Sequence, residues 1–172
     1  VEIDYDECVE CGVCKYADVC PADALTQQEM EYPRILRSQF SNPLVSHPGT
    51  GVPGRGTEEM KTNEVTGRFK RGMVGIAVEM GRPGTGTRLF DVEKVAMALA
   101  KEGVHFEPYN PVTQLMEDVN TGKMKNEVLN EKTLSAIVEF DIPQSKLADV
   151  FDSLKKVIPE IDTVFSLDLA CR

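Results

Sequence analysis

No apolar run in the chain approaches the roughly 18 residues that a membrane-spanning helix needs, so no membrane role is expected. Bases are nearly missing from the first 31 residues, where Lys15 stands alone against nine acids: Glu2, Asp4, Asp6, Glu7, Glu10, Asp18, Asp23, Glu29 and Glu31. That stretch holds −8 of the net charge of −9. Phosphate would be repelled there, which argues against a nucleic-acid partner. The opening "VEIDYDEC" is acidic and lacks signal-peptide character, so a cytoplasmic location is expected. Histidine is scarce. His47 and His105 have no second histidine or carboxylate at a ligand spacing, and no Ser-His-Asp or Cys-His arrangement is visible. Both histidines are expected to be ordinary, and no catalytic residue can be assigned.

Against these absences stands one concentration. Four of the five cysteines fall within "DECVECGVCKYADVCPADAL", at Cys8, Cys11, Cys14 and Cys20, with Pro21 after the last. Crowding at two-residue spacings without an export signal points to thiolate metal ligation in a reducing compartment rather than to disulfides. Zinc prefers paired C-x2-C hooks separated by a longer loop. A third cysteine after two more residues, followed by a Cys-Pro step, favours an iron–sulfur cluster. Three thiolates so spaced can take three corners of a [4Fe–4S] cubane while the loop folds around it.

The usual run ends C-x3-C-P, whereas here the last spacer is the five residues "KYADV". The chain has no second C-x2-C-x2-C run for Cys20 to serve. Cys20 is therefore expected to close the same cluster, with Cys8, Cys11, Cys14 and Cys20 as the metal ligands. The rival is Cys171 in "DLACR", otherwise a small apolar residue at a strand end. The acidic collar suits docking onto the basic patch of a redox partner. It suits a merely solvated surface equally well.

The 172 residues allow one ordinary domain, or a small module joined to one of about 100 residues. Three zones are visible: a cysteine module over 1–31, a Gly/Pro-rich connector over 32–71, and a patterned domain over 72–172. "VEIDYD" alternates like a short strand, and "PADAL" after Cys20 reads as a short helix. The connector shows no sustained apolar period. In the third zone Met73–Met80 reads as a strand. "TRLFDVEKVAMALAKEG" reads as a helix burying Leu89, Val92, Val95, Ala96 and Leu99 and stopped by Gly103. "VHFEPY" and Leu134–Ile142 read as strands. "SKLADVFDSLKKVI" reads as a helix with Leu147, Val150, Phe151, Leu154, Val157 and Ile158 along one stripe, and Thr163–Ala170 as a last strand. The expected class is α+β, with a βαββαβ ferredoxin-like sandwich behind the cysteine module. That sandwich is expected to fold from about residue 72 without help from the first two zones.

"PGTG" occurs at Pro48–Gly51 and again at Pro83–Gly86. "GTGVPG" matches G-x-G-x-x-G in form, but Pro53 lies inside it and no strand leads into it, so a dinucleotide fingerprint is not expected. Such loops can still cradle an anion or a flavin phosphate, with Arg55, Arg68, Lys70, Arg71, Arg82 and Arg88 as available charge. The alternative is ordinary turns with solvated bases.

Over Ile3–Leu25 the chain resembles bacterial-type ferredoxins. From "HPGTGVPGRGTEEMKTNEVTGRFKRG" through "GRPGTGTRLFDVEKV" it resembles the N-terminal half of 6-hydroxynicotinate reductases, in which a ferredoxin segment precedes such a region. It is also similar to sulfur-mobilising proteins of methanogens, with the order of sandwich and ferredoxin segment reversed. The resemblance to 6-hydroxynicotinate reductases implies a stand-alone electron-donating subunit of an anaerobic reductase. Three functions stay open: a one-electron carrier for a redox protein partner such as a flavoprotein, a reductase subunit binding substrate or flavin through its Gly-rich loops, and a redox-sensing ligand-binding module.

Overall fold

The computed structural model describes residues 3–49, 51 and 69–171. The class is α+β, built on a four-stranded antiparallel sheet. Its centre is β1, Met73–Met80, matching the range expected from sequence. Two short strands follow around a helix: β2 (Thr87–Arg88), α3 (Leu89–Lys101) and β3 (His105–Phe106). A hairpin of β4 (Met116–Asp118) and β5 (Lys123–Met124) comes next, then β6 (Lys132–Thr133). The chain closes with β7 (Ala136–Pro143), α4 (Leu147–Val157) and β8 (Phe165–Cys171). The main sheet runs β3-β7-β1-β8, while β2 pairs with β6 and β4 with β5.

Alternation explains the core. Val74, Ile76, Val78 and Met80 lie opposite Ile142, Phe140, Val138 and Ala136, and all eight are buried in one cluster. On α3 the five predicted apolar positions are all buried. On α4 Val150, Leu154 and Val157 are buried, and Leu147 and Phe151 pack at the margin. Ile158 departs from the expected stripe. The helix tightens into a 3-10 turn at Ile158–Glu160, and that side chain is exposed. Gly103 ends α3 in the left-handed conformation (φ 69°), its N–H donating to the Ala100 carbonyl.

The core also reaches back into the supposed connector. Residues Ile35–Ser41 form a helix, α2, which places Leu36 and Phe40 in the same cluster. Ser41 Oγ also accepts the N–H of Leu134 at 2.8 Å. The core is therefore not confined to residues 72–172, the range expected to fold without the first two zones. On the other sheet face Phe69 covers Gly75, where a methyl group would come within 2.2 Å of the ring. Phe40→Ala should destabilise the protein by about 3–5 kcal/mol, because a fully enclosed ring leaves a cavity. Urea unfolding of the two chains checks this. A cost below about 1 kcal/mol would mean that α2 only rests on the surface.

Two local expectations at the N-terminus are corrected. In "VEIDYD" the described residues 3–6 form no strand and the chain turns from Tyr5, because Asp4 Oδ1 accepts the N–H groups of Asp6 and Glu7 at 2.9 and 3.2 Å. This side-chain turn competes with strand pairing. "PADAL" is not helical, since Asp23 adopts φ 47° and its N–H returns to the Cys20 carbonyl. The short helix of this module is α1, Val13–Tyr16, inside the cysteine run.

Candidate metal centre

Between Cys8 and Cys14 the loop is wound by two left-handed residues. Gly12 (φ 73°) is required by sterics, since a Cβ there would meet the Tyr16 ring at 2.5 Å. Glu10 (φ 55°) carries the strain of a side chain in that region, about 1–2 kcal/mol. The winding brings Cys8, Cys11 and Cys14 to the wall of one cavity of about 240 Å³, which Glu10, Lys15 and Arg34 also line. The backbone N–H groups of residues 9–14 find no acceptor among the described residues. Residues 9–14 are half-buried or exposed, and the N–H groups of residues 12–14 belong to the unpaired first turn of α1, so these donors are open to water or to a bound group.

Cys8, Cys11 and Cys14 share the wall of this cavity. Among the described residues no group of three or more His, Cys, Asp or Glu could hold a single metal ion. A lone zinc ion needs all its thiolates within about 2.3 Å. A cluster would take one thiolate at each of several separate irons, and Cys8, Cys11 and Cys14 would supply three of them from the cavity wall.

The fourth expected ligand is placed differently. Cys20 does not line the cavity. Its Sγ accepts the Ala24 N–H at 3.4 Å. The Ala24 and Ala22 amides hold its thiol below the usual range by stabilising the thiolate. Cys171 is exposed at the end of β8, opposite Val74 on β1, and does not line the cavity either.

The chief residues that sequence reasoning missed are the cations gripping this loop. Arg37 on α2 is buried. Its Nη1 donates to the Asp6 and Cys8 carbonyls at 2.5 and 2.8 Å, and its Nε to Glu131 at 2.5 Å. Arg34 donates to Glu10 and to the Tyr5 carbonyl. Arg88 and Lys132 face each other across β2 and β6, an arrangement that repels on its own. Glu7 resolves it by accepting from both, and Asp6 takes a second bond from Arg88 at 2.7 Å. The Arg88 hydrogen bond lowers the Asp6 carboxyl from its ordinary value, and Lys132 does the same for Glu7. The only signal in the sequence was the missing positive charge of the loop, which did not say where its partners lie.

Two expectations change as a result. Three acids of the collar, Asp6, Glu7 and Glu10, are engaged inside the chain. Asp18, Asp23, Glu29 and Glu31 make no ion pair among the described residues. Arg82 and Arg88, considered as anion ligands, sit instead on Glu79 and on Asp6 with Glu7. The second "PGTG" is a tight turn, where Gly81 packs directly on the Gly86 backbone. Residues 52–68, with Arg55 and Arg68 and most of the first glycine-rich string, lie outside the described residues.

His47 is buried edge-on to Phe40, and burial lowers its pKa from the ordinary value. His105 pairs through Nδ1 with Asp141 at 2.9 Å on the exposed sheet surface. No described helix is long and apolar enough to cross a membrane. No protein-family model, curated protein or solved structure matches this chain.

Proposed function

We propose that the chain is a one-electron carrier. It holds a single [4Fe–4S] cluster on Cys8, Cys11, Cys14 and Cys20 and serves a partner reductase, a flavoprotein of anaerobic metabolism, in a reducing cytoplasm. The observation that carries this reading is the cavity lined by Cys8, Cys11 and Cys14, beside six amides that donate to nothing described. Such a cluster, when bound, supplies a redox centre whose potential follows burial, amide hydrogen bonds and nearby charge.

The chain's own residues supply the rest. Deprotonated thiols of Cys8, Cys11 and Cys14 provide three ligands, and the amides of residues 9–14 are donors available to sulfur. Cys20 lies six residues beyond Cys14, so bringing it to the cavity closes a short loop at small entropic cost. Its amide-stabilised thiolate suits a ligand. In the same reading β1, α3, β3, β7, α4 and β8 are the βαββαβ unit of a ferredoxin-like sandwich, and it serves as the platform for the loop. Val13 and Val19 stand exposed next to ligand cysteines, with Asp18 and Asp23 on the same loop. That surface fits a partner presenting apolar contact and basic charge, in a small transient interface.

The test is anaerobic purification of the chain. It should be brown, with about four irons and four sulfides per chain and an EPR signal on reduction. Stoichiometric zinc without inorganic sulfide would refute the proposal. Bound flavin in addition would turn it toward the reductase-subunit alternative.

A further inference from the structure

We infer that the Arg34–Glu10 pair in the wall of the cysteine cavity is a positioning element that sets the reduction potential of the group held there. The inference rests on the proposed function and adds a role for two residues that are not ligands.

Both side chains line the same cavity as Cys8, Cys11 and Cys14, and each is only 14% exposed. Arg34 reaches a single carboxylate oxygen of Glu10 twice, at 3.0 Å from Nε and 2.5 Å from Nη2. The same Nη2 donates to the Tyr5 carbonyl at 2.9 Å, and the guanidinium lies 3.3 Å from the centroid of the Tyr5 ring. The charges are therefore held in place before any electron arrives. Lys15 also lines the cavity, but it is exposed and has no ion pair among the described residues, so water and salt screen it.

Reduction adds one electron, and therefore one negative charge, to the cavity. A cation fixed nearby favours that state and an anion opposes it. The intact pair holds these effects in balance, so removing either member unbalances the site. The two removals must act with opposite sign. Arg34→Gln leaves Glu10 uncompensated and makes reduction harder. Glu10→Gln leaves Arg34 uncompensated and makes reduction easier.

The experiment uses the full chain, purified or reconstituted anaerobically, with iron and sulfide measured before any titration. Each protein is then titrated with dithionite at a pH well above the carboxylate range, read by visible absorbance and EPR. At full iron content the midpoint of Arg34→Gln should fall and that of Glu10→Gln should rise. Arg34→Lys should stay near wild type, and Lys15→Gln should shift less than Arg34→Gln. Midpoints that move together, or do not move, overturn the inference. Loss of iron from both glutamine variants also overturns it, by assigning the pair to holding the loop shut. A wild-type chain without iron and sulfide overturns the proposed function first, and this inference with it.

Discussion

Cys11→Ser should yield a colourless protein, with iron falling from about four per chain to near zero. Cys8→Ser and Cys14→Ser should behave alike, since all three residues line one cavity. The body should still fold in these variants, because its core cluster contains no cysteine. Circular dichroism should therefore hold while iron is lost. The fourth position is the sharper comparison. Cys20→Ser should lose the cluster or leave a three-iron form with altered EPR, and Cys171→Ser should keep full iron. Cys20 starts off the cavity wall with its Sγ on the Ala24 amide, so filling it requires the segment after Cys14 to move inward. If Cys171→Ser empties the site instead, the end of β8 supplies the ligand. If both variants keep four irons, the fourth iron has a non-cysteine ligand or an open face, and the reductase alternative returns.

Arg37→Ala should damage both the fold and the cysteine loop. Its side chain is 4% exposed and its Nε meets Glu131 at 2.5 Å. Removing one partner of a buried ion pair costs about 3–5 kcal/mol, because the other charge is left buried without compensation. The same change cuts the tie to the Asp6 and Cys8 carbonyls, so the cysteine loop loses its anchor to α2. Urea unfolding should show the stability loss, and the rate of iron release to a chelator should rise. A double variant, Arg37→Leu with Glu131→Leu, separates the two effects. It should recover much of the stability, since apolar replacement of a buried pair is often neutral. It should not recover slow iron release, because leucine cannot donate to the Cys8 carbonyl. Normal iron retention in the double variant would show that the loop is held by its other ion pairs alone.

Local periodicity carried much of the fold into the sequence. The β1 limits, the buried stripe of α3 and the glycine stop at Gly103 follow from spacings of two and three to four residues and from one left-handed position. The crowding of Cys8, Cys11 and Cys14 likewise marks the loop by spacing alone. Helix α2 was missed because its apolar signal is only three residues, Ile35, Leu36 and Phe40, within less than two turns, followed by a run of proline and glycine. Among the described residues, the strand expected in "VEIDYD" and the helix at Pro21–Leu25 are absent because aspartate turns override weak patterns.

What only the tertiary structure decided is how the loop is held. Asp6 and Glu7 looked like an outward collar, yet their cations lie 82 and 81 residues away at Arg88, and 125 residues from Glu7 at Lys132. Arg37 looked like any connector base and is the buried contact between loop and body, reaching Glu131 at a separation of 94 residues. Spacing along a chain reports which face of a helix or strand a residue occupies. It does not report which charges meet once β2, β6 and α2 are brought together, because that depends on the packing of elements far apart in sequence.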